Sequence, residues 1–135
     1  MSKTRTGYSG KALYEKLGLK PGQRAWLVQA PADYFKWLEL APKDLQLAAK
    51  PGKEEPFIHV FLHSAKTLAA DLNKASQPLA KDGALWASWR KGKLDGISDG
   101  TVRAWALQGD LVDVKVCSVS EEWSGLKLVF RQEKR

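Results

Sequence analysis

Apolar runs separated by short polar breaks set the rhythm of this chain. Ala25-Trp26-Leu27-Val28 is a continuous apolar run, the pattern of a strand covered on both faces, and predicts a first strand over about Arg24–Gln29. It is the centre of the organising stretch Leu17–Tyr34. Gly18 there suits a helix end, Pro21-Gly22 a turn, and Pro31 a strand stop that can open a helix with Asp33 in its first turn. Ahead of it, Gly10–Leu17 reads as a short helix with Ser9 as N-cap and Leu13, Tyr14 and Leu17 on one side. After it, Ala32–Leu40 reads as a helix ended by Pro42, and Leu45–Ala48 as a short alternating edge strand.

The second half continues the alternation. Lys50–Pro56 is a polar turn, and Phe57–Leu62 is a second apolar run and buried strand. Ser64 is placed to cap a long helix to about Gln77, with Leu68, Ala69 and Leu72 inward. Lys81-Asp82-Gly83 predicts a turn into a strand over Ala84–Trp89, and Arg90–Gly96 a flexible basic loop. Ser98 caps a helix over Asp99–Gln108, which Gly109 ends. Leu111–Val119 alternates, Glu121–Gly125 reverses the chain, and Leu126–Arg131 completes a hairpin. Strands alternating with helices until a closing hairpin imply an α/β sheet with helices on both faces, a three-layer domain.

Composition narrows this picture. At 135 residues and 44% hydrophobic, the chain is sized for a single domain with its own core, expected over residues 8–135 behind a disordered basic segment 1–7. One cysteine excludes an internal disulfide and an all-cysteine metal site. No stretch has the length of a signal-peptide core or a bilayer span, so a soluble cytoplasmic protein with no membrane partner is the expectation. The formal charge is +7. Residues 1–24 hold six basic residues against Glu15 alone, so +5 of it sits there and +2 on the remaining 111 residues. A solvated chain end accounts for this charge, and a polyanion-binding patch is the alternative.

The residues Leu19, Pro21-Gly22 and Arg24, running into an apolar strand, resemble the start of the first strand in Rossmann-like class I methyltransferases. Leu79 with Asp82-Gly83 resembles the corresponding later turn, and the closing hairpin resembles that family's antiparallel ending. The resemblance implies a mostly parallel sheet in the order 2-1-3-4-6-5, with the last strand antiparallel. It also implies one strand fewer than the full methyltransferase sheet, because Lys50–Pro56 leaves no room for the extra strand and its helix. In that family a glycine-rich loop after the first strand lets bare backbone approach S-adenosylmethionine. Here Gln29-Ala30-Pro31-Ala32-Asp33 stands in its place. The acid that holds a ribose after the second strand is replaced by Leu47-Ala48-Ala49-Lys50. The scaffold is thus expected to be kept and the cofactor loop lost.

Ligands of open α/β sheets bind beyond the carboxyl ends of the strands. That rule places Gln29 and Asp33 after the first strand, His63 and Ser64 after the third, Ser88, Trp89, Arg90 and Lys91 after the fourth, and Trp123 in the hairpin turn, with Tyr8 able to fold over the top. The candidate crevice is Gln29, Asp33, His63, Ser88, Trp89, Arg90 and Trp123. His59 reads as a structural histidine and Cys117 as a structural cysteine. His63 has the pKa class for acid–base work, and Trp89-Arg90-Lys91 can stack on and pair with an anion. Trp26, Trp86 and Trp105 read as core, and Trp37, Trp89 and Trp123 as part-exposed. No catalytic triad or metal set can be assembled from local sequence, so no catalytic residue, metal or cofactor is assigned.

Tyr8–Gly22 together with Leu111–Arg131, particularly Val114–Cys117 and Trp123–Val129, also resemble a small bacterial family grouped as a domain of unknown function. That resemblance implies a bacterial cytoplasmic protein on the same scaffold. Three readings of function follow. The first is a non-catalytic methyltransferase-like module that binds a protein or small molecule. The second is an enzyme or nucleotide-type ligand binder using the crevice, with His63, Ser88 and Arg90 as its working residues. The third is nucleic-acid binding through residues 3–24 and Arg90–Lys93, which would weaken steeply with salt.

Overall fold

Arg24–Val28 (β1) lies at the middle of the sheet's parallel half, paired on one side with Gln46–Leu47 (β2) and on the other with Glu55–Phe61 (β3) in the computed structural model, which describes residues 10–135. The expected disordered segment 1–7, Tyr8 and the Ser9 cap lie outside the described residues. Leu79–Arg90 (β4) pairs parallel with β3, and Trp123–Phe130 (β6) runs antiparallel between β4 and Leu111–Ser118 (β5). The order is β2-β1-β3-β4-β6-β5, as the alternation of elements and the methyltransferase resemblance imply.

Helices cover both faces because the strands are apolar on both. Leu68–Ser76 (α3) and Asp99–Leu107 (α4) bury Leu72, Ala75, Val102 and Ala106 against Trp26, Ile58, Val60, Leu85, Trp89 and Leu128. Leu13–Lys16 (α1) and Tyr34–Leu38 (α2) bury Leu13, Tyr34 and Leu38 against Ala25, Phe57, Phe61, Trp86 and Trp123 on the other face. The Trp86 indole donates to the Leu17 carbonyl at 2.9 Å, so one of the last carbonyls of the α1 turn is satisfied by the sheet core. Ser98 caps α4 as its sequence predicts, accepting from the Thr101 N–H while the Thr101 hydroxyl accepts from the Ser98 N–H.

Several elements differ from their predicted form, each for a local reason. Lys81-Asp82-Gly83 is no turn: it lies within β4, where the register slips from Glu55 opposite Leu79 to Phe57 opposite Ala84. Gly83 is needed there for close approach, since a Cβ would sit 2.9 Å from the Glu55 carbonyl and 3.0 Å from that of Pro56. Ser64 does not cap α3. It holds a local turn, accepting from the Lys66 N–H and the Thr67 hydroxyl, and the helix starts four residues later. The second helix is shorter than its apolar pattern because Glu39 adopts φ +65° and ends it at Leu38. Arg90–Gly96 is closed by an internal ion pair: Arg90 donates two bonds to the Asp95 carboxylate, at 2.9 and 2.8 Å.

Candidate functional site

The carboxyl ends of β1, β3 and β4 and the turn before β6 converge on one mouth. Gln29 follows β1 in the left-handed region at φ +59°, a conformation that costs a non-glycine residue about 1 kcal/mol or more. Its side chain turns across the sheet and donates from Nε2 to the Phe61 carbonyl at 3.0 Å. His63, two residues beyond Phe61, donates from Nε2 to the Gln29 carbonyl at 3.3 Å. The ends of β1 and β3 are therefore laced together where parallel strands of such a sheet usually part. The exposed His63 ring meets the Trp123 indole edge-on, with centroids 5.4 Å apart.

Arg90 stands opposite Trp123 across the β4–β6 ladder, with its guanidinium held by Asp95. The paired guanidinium holds the Asp95 carboxyl below its ordinary range, and the positive field of His63 acts in the same direction as a smaller cause. Lys91 is committed nearby, its Nζ donating to Ser118 Oγ at 2.7 Å and to the Ser120 carbonyl at 2.8 Å. Gln29, His63, Arg90 and Trp123 are thus one neighbourhood, with Asp95 as a fifth member that no local motif marks.

Ser88 and Trp89 point away from that neighbourhood, and Asp33 makes no hydrogen bond, ion pair or ring contact with it among the described residues. Asp33 is exposed ahead of α2, where its carbonyl accepts from the Trp37 N–H. Trp89 is buried on the α3–α4 face, opposite to the face Trp123 occupies, because successive residues of a strand point to opposite sides. Both indoles are buried rather than part-exposed, and Trp105, expected in the core, is half-buried and donates to Asn73 Oδ1.

Ser88 points into the core and bonds His59. His59 Nε2 lies 2.8 Å from Ser88 Oγ and His59 Nδ1 lies 3.0 Å from the Tyr34 hydroxyl. All three side chains are buried, and Phe61 stacks on the imidazole at 4.4 Å between centroids. A neutral imidazole donates from one nitrogen and accepts at the other, so one of the two hydroxyls donates to the ring and the other accepts from it. Burial holds the His59 pKa at about 3 and pushes the Tyr34 phenol well above its ordinary value. This triad resembles a relay in its bonding, but its exclusion from water makes it a polar core element. Burial likewise raises the Cys117 thiol, which leaves it a poor nucleophile. Among the described residues no group of three histidine, cysteine or acidic side chains is placed to hold a metal ion, and no helix is long and apolar enough to cross a membrane.

No family model matches the chain, and no curated protein matches it. Solved structures do. A putative type 11 methyltransferase from Sulfolobus solfataricus aligns over 89% of this chain and 90% of its own, at 13% identity and a TM-score of 0.57. DhpI, solved as a complex with SAH, aligns over 90% and 83% at 9% identity and a TM-score of 0.60. A TehB-like SAM-dependent methyltransferase from Corynebacterium glutamicum aligns over 88% and 85% at 9% identity and a TM-score of 0.55. At these identities the likeness is one of fold: the chain has the Rossmann-like fold of class I methyltransferases.

Proposed function

We propose that this chain is a binding module on a methyltransferase scaffold that works without the methyl donor. The observation that carries the reading is the lacing of the switch point by Gln29. S-adenosylmethionine, the cofactor of the fold family, needs bare backbone after β1 and an acid after β2. Here a glutamine side chain spans the β1–β3 gap, Pro31 follows two residues on, and Ala48-Ala49-Lys50 follows β2. The residues present do not fit that cofactor, and no step is routed through it. Cytoplasmic binding of a protein or small-molecule partner is the function this supports, with the exposed His63 and the Arg90–Asp95 pair as the polar contacts at the mouth.

Titration calorimetry with S-adenosylmethionine and with its demethylated product tests the reading. We expect no saturable heat at concentrations up to roughly 1 mM, a regime in which even a weak specific site would register. Saturable binding of either compound, lost in His63→Ala, overturns it. Native mass spectrometry of gently purified protein then separates the partner classes. A co-purifying small molecule assigns the mouth to a ligand, and a bare chain at a clean mass directs the search to proteins.

A further inference from the structure

The connection from β2 to β3 takes only residues 48–54, and its shortness leaves a cleft of about 600 Å³ on the α3 side of β1. This lies in the size range of small-molecule sites. Trp26, 8% exposed, and Gln77 line it, together with Lys50 and Lys53 from the connection and Lys74 from the last turn of α3. No acidic side chain lines it, and among the described residues none forms an ion pair with any of the three lysines. The cleft beside Trp89 differs in this respect. Its Lys91 is already bonded to Ser118 and Ser120, and it contains Asp99.

The lysine-bearing connection is held in place from beneath. The buried Glu55 carboxylate accepts from the Gly52 N–H and from Nε and Nη2 of Arg24, at 2.8 and 2.7 Å. A Cβ on Gly52 would lie 3.3 Å from the carboxylate and 3.4 Å from the guanidinium, so the backbone approach there is tight. The ion pair of buried Glu55 with half-exposed Arg24 anchors the backbone at Gly52, between Lys50 and Lys53, before any ligand arrives, which lowers the ordering cost of binding.

We propose that this cleft binds a nucleoside phosphate, its phosphates held among Lys50, Lys53 and Lys74 and its base set against Trp26 and Gln77. Three lysines in one lining that holds no acidic side chain suit phosphate oxygens, and an indole in the same lining as a side-chain amide suits a planar heterocycle with polar edges. The site is separate from the mouth at Gln29 and His63 and does not depend on how that mouth is read. The source is either a free nucleotide or the end of a single strand of nucleic acid.

The test titrates the full chain with adenosine triphosphate, with inorganic triphosphate and with a short single-stranded oligonucleotide, following tryptophan fluorescence and the Trp26 indole N–H resonance. The triple variant Lys50→Ala, Lys53→Ala, Lys74→Ala should weaken binding about tenfold or more, roughly the loss of one to two charged contacts. A control triple of equally exposed lysines, Lys36→Ala, Lys43→Ala and Lys66→Ala, should leave it within about twofold, as expected of remote screened charges. Equal affinity for nucleotide and oligonucleotide assigns the site to the free nucleotide, and a much tighter strand assigns it to nucleic acid. The proposal fails if neither ligand saturates the protein, if inorganic triphosphate binds as well as the nucleotide, or if the control triple weakens binding equally.

Discussion

His59 on β3 and Ser88 on β4 share a hydrogen bond of 2.8 Å in the middle of an aromatic core, with Tyr34 closing the other side of the imidazole. The pairing makes the core sensitive to acid. Burial sets the folded His59 pKa at about 3 against an ordinary 6.5, so the folded ring stays neutral where the unfolded ring takes a proton. Above pH 6.5 neither state is charged and the full stability is present. Below it the unfolded state binds more protons, and stability falls with pH at a slope approaching about 1.4 kcal/mol per unit. Urea titrations between pH 7 and about 5.5 check this. The window lies above the ordinary range of the carboxylates whose pKa values ion pairing lowers, Glu55, Asp95 and Asp99. The slope should flatten in His59→Gln, and an unchanged slope in that variant would refute the assignment.

Arg24 and Glu55 form another long-range polar contact, 31 residues apart in sequence. The Glu55 side chain is fully buried while that of Arg24 is 44% exposed. Arg24→Met strips the carboxylate of its guanidinium and should destabilise the chain, by less than breaking a wholly buried pair because water can reach the vacated side. Hydrogen bonding to Arg24 lowers the Glu55 pKa, so this contribution is present above the ordinary glutamate value and fades as pH falls below it. The variant should therefore lose most stability near neutral pH and least near pH 3. Guanidinium unfolding at both values measures the difference.

Gly125 sits opposite Ser88 on β6, and its missing side chain is part of the same core. A Cβ there would meet Ser88 Oγ and Val119 Cγ2 at 3.1 Å and Trp86 Cε3 at 3.2 Å. All three neighbours would have to give by a few tenths of an ångström, and two of them are locked in bonded or ring positions. Gly125→Ala should cost about 1 to 3 kcal/mol, the usual range for overpacking. An unfolding midpoint equal to that of the unaltered chain would show that β6 shifts freely.

The strands were legible because each apolar run is a local signal. Ala25–Val28 and Phe57–Leu62 announce buried strands without reference to anything else, and Ser98 announces a helix start. The order of the sheet followed from the alternation of those elements and the family resemblance. What the chain hides is set at long range. Nothing near Tyr34 shows that its hydroxyl meets a histidine 25 residues on, and nothing near Ser88 shows that it points inward rather than into the mouth. Lys81-Asp82-Gly83 has turn chemistry, yet β3 packs close enough against it to make the glycine a strand residue. Trp89 and Trp123 look like strand-end residues open to solvent until helices from distant segments cover each from its own side.

Gln29 offers the sharpest test of the mouth, because two substitutions there pull apart strain and bonding. Its φ of +59° costs the folded state, and its bond to the Phe61 carbonyl offsets that cost by about 1 kcal/mol. Gln29→Ala keeps the strained backbone and loses the bond, so it should destabilise by about 1 kcal/mol. Gln29→Gly loses the same bond but relieves the strain, and its unfolding midpoint should return close to that of the unaltered chain. If the two variants are equally destabilised, the left-handed conformation carries no strain and the lacing is held by His63 instead. The glycine variant also clears the side chain from the β1–β3 gap and restores one glycine to the loop. Absence of S-adenosylmethionine binding in that variant too would show that Pro31 and the missing acid after β2 exclude the cofactor independently of Gln29, whereas a gain of saturable binding would make Gln29 itself the barrier.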